Sequence, residues 1–130
     1  MIGNEIALDT SVAVALLNNS TGWAQWVKTL GSVRLPVPVV GELRFGALNS
    51  QHATKNLRRV DKLVARCPIL PIGEVTSQFY ADVRFGLKRI GKPIPENDVW
   101  IAAICLEHRI SLATNDGHFS AVDGLQVVGR

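Results

Sequence analysis

The chain has 130 residues, of which 47% are hydrophobic, and these values exclude a disordered chain and fit one globular domain. We therefore expect residues 1–130 to form a single domain. No apolar run approaches the roughly 20 residues needed to cross a bilayer, so we expect no membrane association. The first residues carry no basic stretch ahead of an apolar one, which predicts a cytoplasmic protein without a secretory signal.

The charge balance mildly favours a polyanionic partner. Fourteen Lys and Arg residues against eleven Asp and Glu residues give a net charge of +3. The two cysteines do not form a closely spaced pair: Cys67 precedes a proline in a connection, and Cys105 lies in an apolar helical pattern. We expect both to be reduced thiols.

The first half of the chain alternates short apolar strands with helices. A strand at residues 6–8 leads through Asp9 into an apolar helix at 12–17, which Thr10 and Ser11 are predicted to cap. Turn formers at 18–22 precede a helix at 23–30 that Gly31 ends. The pattern then predicts a strand at 33–37, a helix from 39 to about 49 opened by Pro38, and a helix at 51–66.

The second half continues this alternation. A strand is predicted at 68–72, a long helix at 74–90 ended by Gly91, and a helix at 96–109 after a stiff proline-rich connection. A strand at 111–114, a turn at 115–119 and a strand at 125–128 complete the chain. Such alternation predicts an α/β protein whose parallel sheet is covered on both faces. The apolar patterns of two of these helices include Leu48, Val75 and Ile90.

Four acidic residues fall where predicted strands end or helices begin. Asp9 and Asp116 follow strands that, as parallel neighbours, would end at the same edge of the sheet. Asp98 and Glu42 lie in the first turns of helices, among apolar residues. Each acid alone has an ordinary interpretation as a turn residue, a helix cap or a group that complements the helix dipole. Together they favour a cation site, because burying several carboxylates near one another is otherwise costly.

The predicted ligands are all hard oxygen donors without a cysteine or histidine cluster, so magnesium or manganese fits better than zinc. The chemistry such a site favours is metal-assisted hydrolysis of a phosphodiester. Three hydroxyls beside the acids are candidates for holding a water or the scissile phosphate: Thr10, Ser11 and Thr114. The chain has no serine nucleophile elbow and no phosphate-binding glycine loop.

Basic residues cluster on two helices. On the helix at 51–66 they recur at three- and four-residue spacing and share one face: Lys55, Arg58, Arg59, Lys62 and Arg66. That face is either simply solvated or contacts the phosphates of a polynucleotide, and its spacing does not decide between the two. A second basic cluster comprises Arg84, Lys88, Arg89 and Lys92.

Four segments together resemble the PIN domain, and specifically the VapC-type toxins of bacterial type II toxin–antitoxin pairs. They are Leu8-Asp9-Thr10-Ser11, VGELRFG at residues 40–46, PIPENDVWIAA at 93–103 and LATNDGHF at 112–119. Their order is that of the family, and the resemblance covers essentially the whole chain. Any one segment alone would be a weak signal.

The resemblance implies a three-layer α/β/α sandwich with a five-stranded parallel sheet and an endoribonuclease site that uses Mg²⁺, or Mn²⁺ in its place. It matches Asp9, Glu42, Asp98 and Asp116 to the family's acidic quartet, with Asp9 and Asp98 as the most direct metal ligands. Thr114 matches the supporting hydroxyl. The family also implies an RNA substrate, a homodimer and a cognate antitoxin that covers the site.

Three other functions compete with this interpretation. A phosphoacceptor signalling or phosphatase domain needs a second acid beside the strand-end aspartate and often a late lysine. Here Thr10 follows Asp9, and residues 111–119 contain no lysine. The other two alternatives are a non-catalytic RNA-binding module, which the intact quartet disfavours, and a PIN nuclease with an RNA-processing role, which the short chain disfavours.

Overall fold

The computed structural model describes residues 5–19, 21–29 and 32–129. Five strands within these ranges form one sheet: β1 (Glu5–Leu8), β2 (Ser32–Pro36), β3 (Ile69–Leu70), β4 (Ser111–Ala113) and β5 (Val127–Val128). The α-helices are α1 (Thr10–Leu17), α2 (Thr21–Lys28), α3 (Val37–Leu48), α4 (Ala53–Arg66), α5 (Glu74–Arg89) and α6 (Glu96–His108). A short 3₁₀ helix, Gly117–Ala121, connects β4 to β5.

The first strand lies at the centre of the sheet. The strand order is β3-β2-β1-β4-β5, and every neighbouring pair is parallel. Ala7 of β1 is paired with Arg34 on one side and Leu112 on the other. The chain moves outward from β1 to β3 and then returns to β4, so the order reverses between β1 and β4. In open parallel sheets, ligands bind beyond the carboxyl ends of the strands at such a reversal.

The helices cover the two faces of the sheet in two groups. α1 packs on α2 and α3, and α3 packs on α4, whereas α5 packs mainly on α6. Right-handed crossovers that run in opposite directions along a sheet place their helices on opposite faces. The predicted α/β/α sandwich with a five-stranded parallel sheet is therefore confirmed.

The core follows from the sequence pattern of the central elements. Leu8, Leu35 and Leu112 are fully buried in three adjacent strands, and the run from Ile101 to Cys105 in α6 is fully buried as well. A helix with apolar residues on most of its circumference is stable only when it is covered, which explains the place of α6 against the sheet. The carboxyl edge of β1 and β4 is held rigidly by this packing.

Some predicted boundaries were displaced. The first helix was predicted to begin at Val12 with Thr10 and Ser11 as its caps, but Asp9 is the N-cap and Thr10 is already helical. The strands predicted at 68–72 and 125–128 keep only two paired residues each. Gly91 follows the end of α5 with a positive φ of 69°, as the glycine stop predicted. The predicted end of the second helix at Leu30 and Gly31 lies outside the described residues.

Three residues of the apolar helical patterns are exposed. Leu48, Val75 and Ile90 are 62%, 50% and 56% exposed. Leu48 ends α3, Val75 lies in the first turn of α5, and Ile90 directly follows α5. The apolar pattern therefore continues at the ends of these helices, where the side chains are not covered.

Both cysteines are free and buried, as predicted. Burial and the nearby charge of Asp9 raise the pKa of the Cys105 thiol to about 12. Burial likewise raises the pKa of Cys67. No helix in the described ranges is long and apolar enough to span a bilayer.

Candidate active site

The predicted acids gather at the carboxyl edge of β1 and β4. Asp9 directly follows β1, and its backbone N–H donates to the carbonyl of Ala113 in β4 at 2.9 Å. Asp116 follows β4 and caps the 3₁₀ helix, so both aspartates leave neighbouring strands at the same edge. Asp98 lies in the first turn of α6. The pairing of β1 with β4 brings Asp9 and Asp116 together, and the first turn of α6 brings Asp98 close to both.

Asp9 is held in a single orientation by its neighbours. It is only 5% exposed. The Thr10 backbone N–H donates to its Oδ1 at 2.8 Å, and the Ser11 hydroxyl lies 3.5 Å from its Oδ2. The carboxylate thus caps α1 and benefits from the positive end of that helix. The ordinary interpretation of Asp9 as a helix cap and its interpretation as a site residue are compatible.

Thr114 connects the two strand-end aspartates. Its buried hydroxyl donates to Asp9 Oδ2 at 2.6 Å and accepts from the backbone N–H of Asp116 at 2.9 Å. A hydroxyl can donate one hydrogen bond and accept others, so one side chain satisfies a buried carboxylate and a partly buried amide at once. The sequence predicted a supporting hydroxyl here, and the contact shows how that group orients Asp9.

Asp98, Asp116 and His118 form a close group. The Nδ1 atom of His118 lies 3.4 Å from Asp98 Oδ2 and 3.1 Å from Asp116 Oδ1. The His118 backbone N–H also donates to Asp116 Oδ1 at 2.9 Å. One ligand atom from each residue lies within 4.8 Å of the others. Sequence reasoning did not single out His118, whose ring nitrogen lies among the predicted oxygen donors.

Glu42 joins the site through Thr10 on α1. The Thr10 hydroxyl donates to Glu42 Oε1 at 3.1 Å, which connects the first turn of α1 to α3. Glu42 lies outside the close group of Asp98, Asp116 and His118, as does Asp9. Thr10 is therefore better described as a support for Glu42 than as a helix cap.

The surroundings of Asp98 disfavour the ionised form of its side chain. Burial raises its pKa, and the negative charges of Asp9 and Asp116 raise it further, while His118 partly offsets these effects. The Asp98 side chain is 16% exposed. A group whose folded-state pKa is raised binds more protons folded than unfolded, so stability falls as the pH rises through that pKa.

We expect Asp98→Asn to stabilise the metal-free protein near pH 8, because the variant removes a carboxylate repelled by Asp9 and Asp116. The expected rise in Tm is roughly 3 °C. In thermal unfolding with EDTA, the difference from the unsubstituted chain should shrink as the pH falls to the ordinary range of aspartate. A variant that is less stable at both pH values would contradict the repulsion. Asp82→Asn, an exposed acid on α5, is the control.

A divalent cation fits this donor set. A cation between Asp98 and Asp116 would offset the burial and the repulsion that raise the pKa of Asp98, and the Nδ1 atom of His118 lies 3.4 Å and 3.1 Å from these two carboxylates. Carboxylate oxygens suit Mg²⁺ and Mn²⁺, and an imidazole nitrogen favours the later transition metals somewhat more. The fit therefore includes manganese as well as magnesium.

The predicted RNA-contacting residues lie on α4, away from the close acidic group. Three of these side chains are exposed, Lys55, Arg58 and Lys62, and Arg59 is half-buried. α4 ends at Arg66, just before the amino end of β3, so its amino end is the one nearer the acidic edge. Arg59 and Lys62 also line an apolar groove of about 460 Å³ between α1, α2 and α4.

Comparison with known proteins defines the class of this fold and site. The profile of the PIN domain matches residues 6–125. A relative from Mycobacterium tuberculosis, Ribonuclease VapC5, is 31% identical over 121 residues, which cover 90% of this chain and 87% of the relative. The chain therefore belongs to the PIN domain family, in its VapC branch.

Solved structures agree with this fold. VapBC2 from Rickettsia felis, bound to a DNA fragment from its promoter, superposes with a TM-score of 0.91 at 21% identity, covering 97% of this chain and 98% of that one. VapBC-5 from Mycobacterium tuberculosis, described as a member of the VapBC family of toxin–antitoxin systems, superposes with a TM-score of 0.75 at 27% identity. It covers 97% of both chains.

Proposed function

We propose that this chain is a metal-dependent endoribonuclease that acts as the toxin of a type II toxin–antitoxin pair. The observation that carries the proposal is the convergence of Asp9, Asp98 and Asp116 at the carboxyl edge of β1 and β4 in a chain of the VapC branch. The similarity to a relative named a ribonuclease supports RNA as the substrate. Residues 1–130 are proposed to form one domain, with a single active site.

The residues of the chain have distinct proposed roles. Asp9 and Asp98 hold the cation, and Asp116 and Glu42 complete its surroundings directly or through water. Thr114 and the first turn of α1 fix the Asp9 carboxylate before substrate arrives, which lowers the cost of organising the site during the reaction. When bound, Mg²⁺ or Mn²⁺ supplies polarisation of the phosphoryl group and activation of a water. One of the carboxylates accepts the proton that this water loses.

An antitoxin and a second copy of the chain are the proposed protein partners, and the cytoplasm is the proposed location. The similarity to VapBC complexes supports the antitoxin. The apolar groove between α1, α2 and α4, with Arg59 and Lys62 at its side, is a surface that an amphipathic segment with acidic flanks would complement. The homodimer rests on the family resemblance alone.

Cleavage of RNA should require a divalent cation. We expect purified protein to cut single-stranded and structured RNA in Mg²⁺ or Mn²⁺ and to lose this activity in EDTA, because the carboxylates cannot polarise a phosphate by themselves. Gel electrophoresis of labelled RNA measures the result. Cleavage that persists in EDTA would exclude the metal mechanism, and the absence of cleavage with either metal would contradict the proposed ribonuclease activity.

Expression of this chain in bacteria, without its antitoxin, should arrest growth.

The basic face of α4 gives a separate prediction. Exchanging the charges of Lys55, Arg58 and Lys62 to Glu should weaken RNA binding and lower the slope of log affinity against log salt by up to about 3. Fluorescence anisotropy across a salt series measures this slope.

A single-charge comparison makes this test sharper. Arg58→Glu should reduce RNA affinity more than Arg109→Glu, which makes the same charge change after the carboxyl end of α6, at the opposite edge of the sheet. Equal effects would show that only net charge matters, and unchanged affinity would show that the α4 face is only solvated.

A further inference from the structure

A pocket lies between α5 and the start of α6. Its volume is about 370 Å³, which is within the range of small-ligand clefts. We call it the α5–α6 pocket, and its lining includes Tyr80, Arg84, Lys88, Ile94, Glu96 and Val99. Glu96 and Asp98 lie in the same first turn of α6, so the pocket and the acids share one helix end.

The polar wall of the pocket is a connected chain of hydrogen bonds. Arg84 Nη1 donates to the Tyr80 hydroxyl at 2.8 Å, and that hydroxyl donates to Glu96 Oε1 at 2.8 Å. The Tyr80 ring is fixed from behind by Trp100, with ring centroids 4.0 Å apart and planes at 24°. These contacts hold Arg84 in place although its side chain is 68% exposed.

Two cations of the pocket keep unused hydrogen-bond donors. Arg84 uses one of its five N–H donors in the hydrogen bond to Tyr80. Its Nη1 atom forms a long ion pair with Glu96, at 4.0 Å from Oε1. Lys88, one helical turn further along α5, is exposed and forms no ion pair with any described residue. The floor beside them is apolar, formed by Val99 and Ile94. A cationic wall above an apolar floor complements a nucleotide, with its anionic phosphate and flat base.

We propose that the α5–α6 pocket binds a nucleotide of the RNA substrate close to the scissile phosphate, and that Arg84 and Lys88 hold the phosphate of that nucleotide. This rests on the proposed ribonuclease function and adds a position that selects and orients the RNA strand. The carboxylate of Glu96 repels phosphate, so it sets the direction of the nucleotide: phosphate toward Lys88, base toward Glu96. A carboxylate accepts hydrogen bonds from exocyclic amino groups, so a base that carries one is preferred over uracil.

Substituting Arg84 tests the pocket, and Arg89 supplies a matched control. Both are arginines near the end of α5, but Arg89 packs over the Phe85 ring and lines a different cavity. We expect Arg84→Ala to weaken binding of short single-stranded oligoribonucleotides about tenfold and to lower the salt slope by about 1. Arg89→Ala should change the affinity by less than about twofold. Fluorescence anisotropy with the full chain in EDTA measures binding without turnover.

The outcomes separate this proposal from the ribonuclease itself. If Arg84→Ala and Arg89→Ala weaken binding equally, or neither does, while the unsubstituted chain still cuts RNA in Mg²⁺, the pocket proposal is overturned and the nuclease stands. If the unsubstituted chain neither binds nor cuts RNA, both proposals fail. Ultraviolet cross-linking of an oligoribonucleotide that contains 5-iodocytidine to Tyr80, mapped by mass spectrometry, should succeed, and cross-links confined to other regions would exclude the pocket.

The direction of the nucleotide has its own test. Oligocytidylate should bind more tightly than oligouridylate of equal length, and Glu96→Leu should abolish this preference while leaving the apolar floor in place. Thermal unfolding checks that Glu96→Leu remains folded, as its exposed side chain predicts. A preference that survives in Glu96→Leu would show that the base does not face this carboxylate.

Discussion

Asp9→Asn is expected to lower the rate of RNA cleavage by roughly three orders of magnitude, equivalent to about 4 kcal/mol of transition-state stabilisation. The variant keeps the shape of the side chain and one oxygen, so the hydrogen bond from Thr114 can persist. It removes the negative charge that a cation needs, and its amide nitrogen would take the place of Oδ1, which accepts a hydrogen bond from the Thr10 backbone N–H. Initial rates of cleavage in Mg²⁺ measure the loss.

The same substitution should relieve growth arrest when the chain is expressed in bacteria. Asp82→Asn is the matched control, because it makes the same chemical change at an exposed position on α5 and should leave cleavage and arrest unchanged. Equal arrest by Asp9→Asn and the unsubstituted chain would contradict the catalytic role. Circular dichroism should show that both variants are folded, so that a loss of activity is attributed to the site.

The placement of the acids could be predicted because it depends on features that sequence expresses directly. Asp9 and Asp116 each follow a short apolar strand, and parallel neighbours bring strand ends to one edge. Asp98 was predicted in the first turn of a helix and lies there in α6. Glu42 was predicted in a first turn as well, but α3 begins at Val37, so Glu42 lies in its second turn. The alternation of strands and helices predicts a parallel sheet that is covered on both faces. The five-stranded, three-layer sandwich was implied by the resemblance to the PIN domain, and the strand order is known from the structure alone.

His118 could not be predicted in the same way. Its side chain reaches Asp98 because residues 117–121 form a 3₁₀ helix capped by Asp116, which turns the chain back toward α6. A sequence of turn formers predicts that the chain bends but gives no direction for the bend. The one available signal in the sequence was that His118 lies two residues after a predicted site residue, Asp116, which favours its presence near the site.

The side-chain contacts between helices could not be predicted from the sequence either. The stack of Tyr80 on Trp100 joins α5 to α6 across a separation set by the packing of both helices. The sequence identified Arg84 and Lys88 as part of a basic cluster but gave no reason to separate them from Arg89. In the structure Arg84 and Lys88 line one cavity and Arg89 lines another, so Arg89 can serve as the matched control for Arg84.

Thr114→Val is expected to destabilise the protein and to disable the site together. Valine has nearly the same shape, but it removes the hydroxyl that donates to Asp9 Oδ2 and accepts from the Asp116 amide. Two buried polar groups would then lose a partner, at a cost of about 2–3 kcal/mol. A loss of this size lowers Tm by roughly 8 °C in a domain of this length. Thermal unfolding in EDTA measures it.

Thr114→Ser separates the hydroxyl from the methyl group, since serine keeps the hydrogen bonds and loses only one buried carbon. We expect it to retain most of the stability, with a loss near 1 kcal/mol, and to keep RNA cleavage within about tenfold. Thr114→Val should lose cleavage more steeply, because Asp9 becomes free to rotate away from the position that its neighbours impose. If valine and serine have equal effects on both quantities, the contribution of Thr114 is packing, and Asp9 is oriented by the amino end of α1 alone.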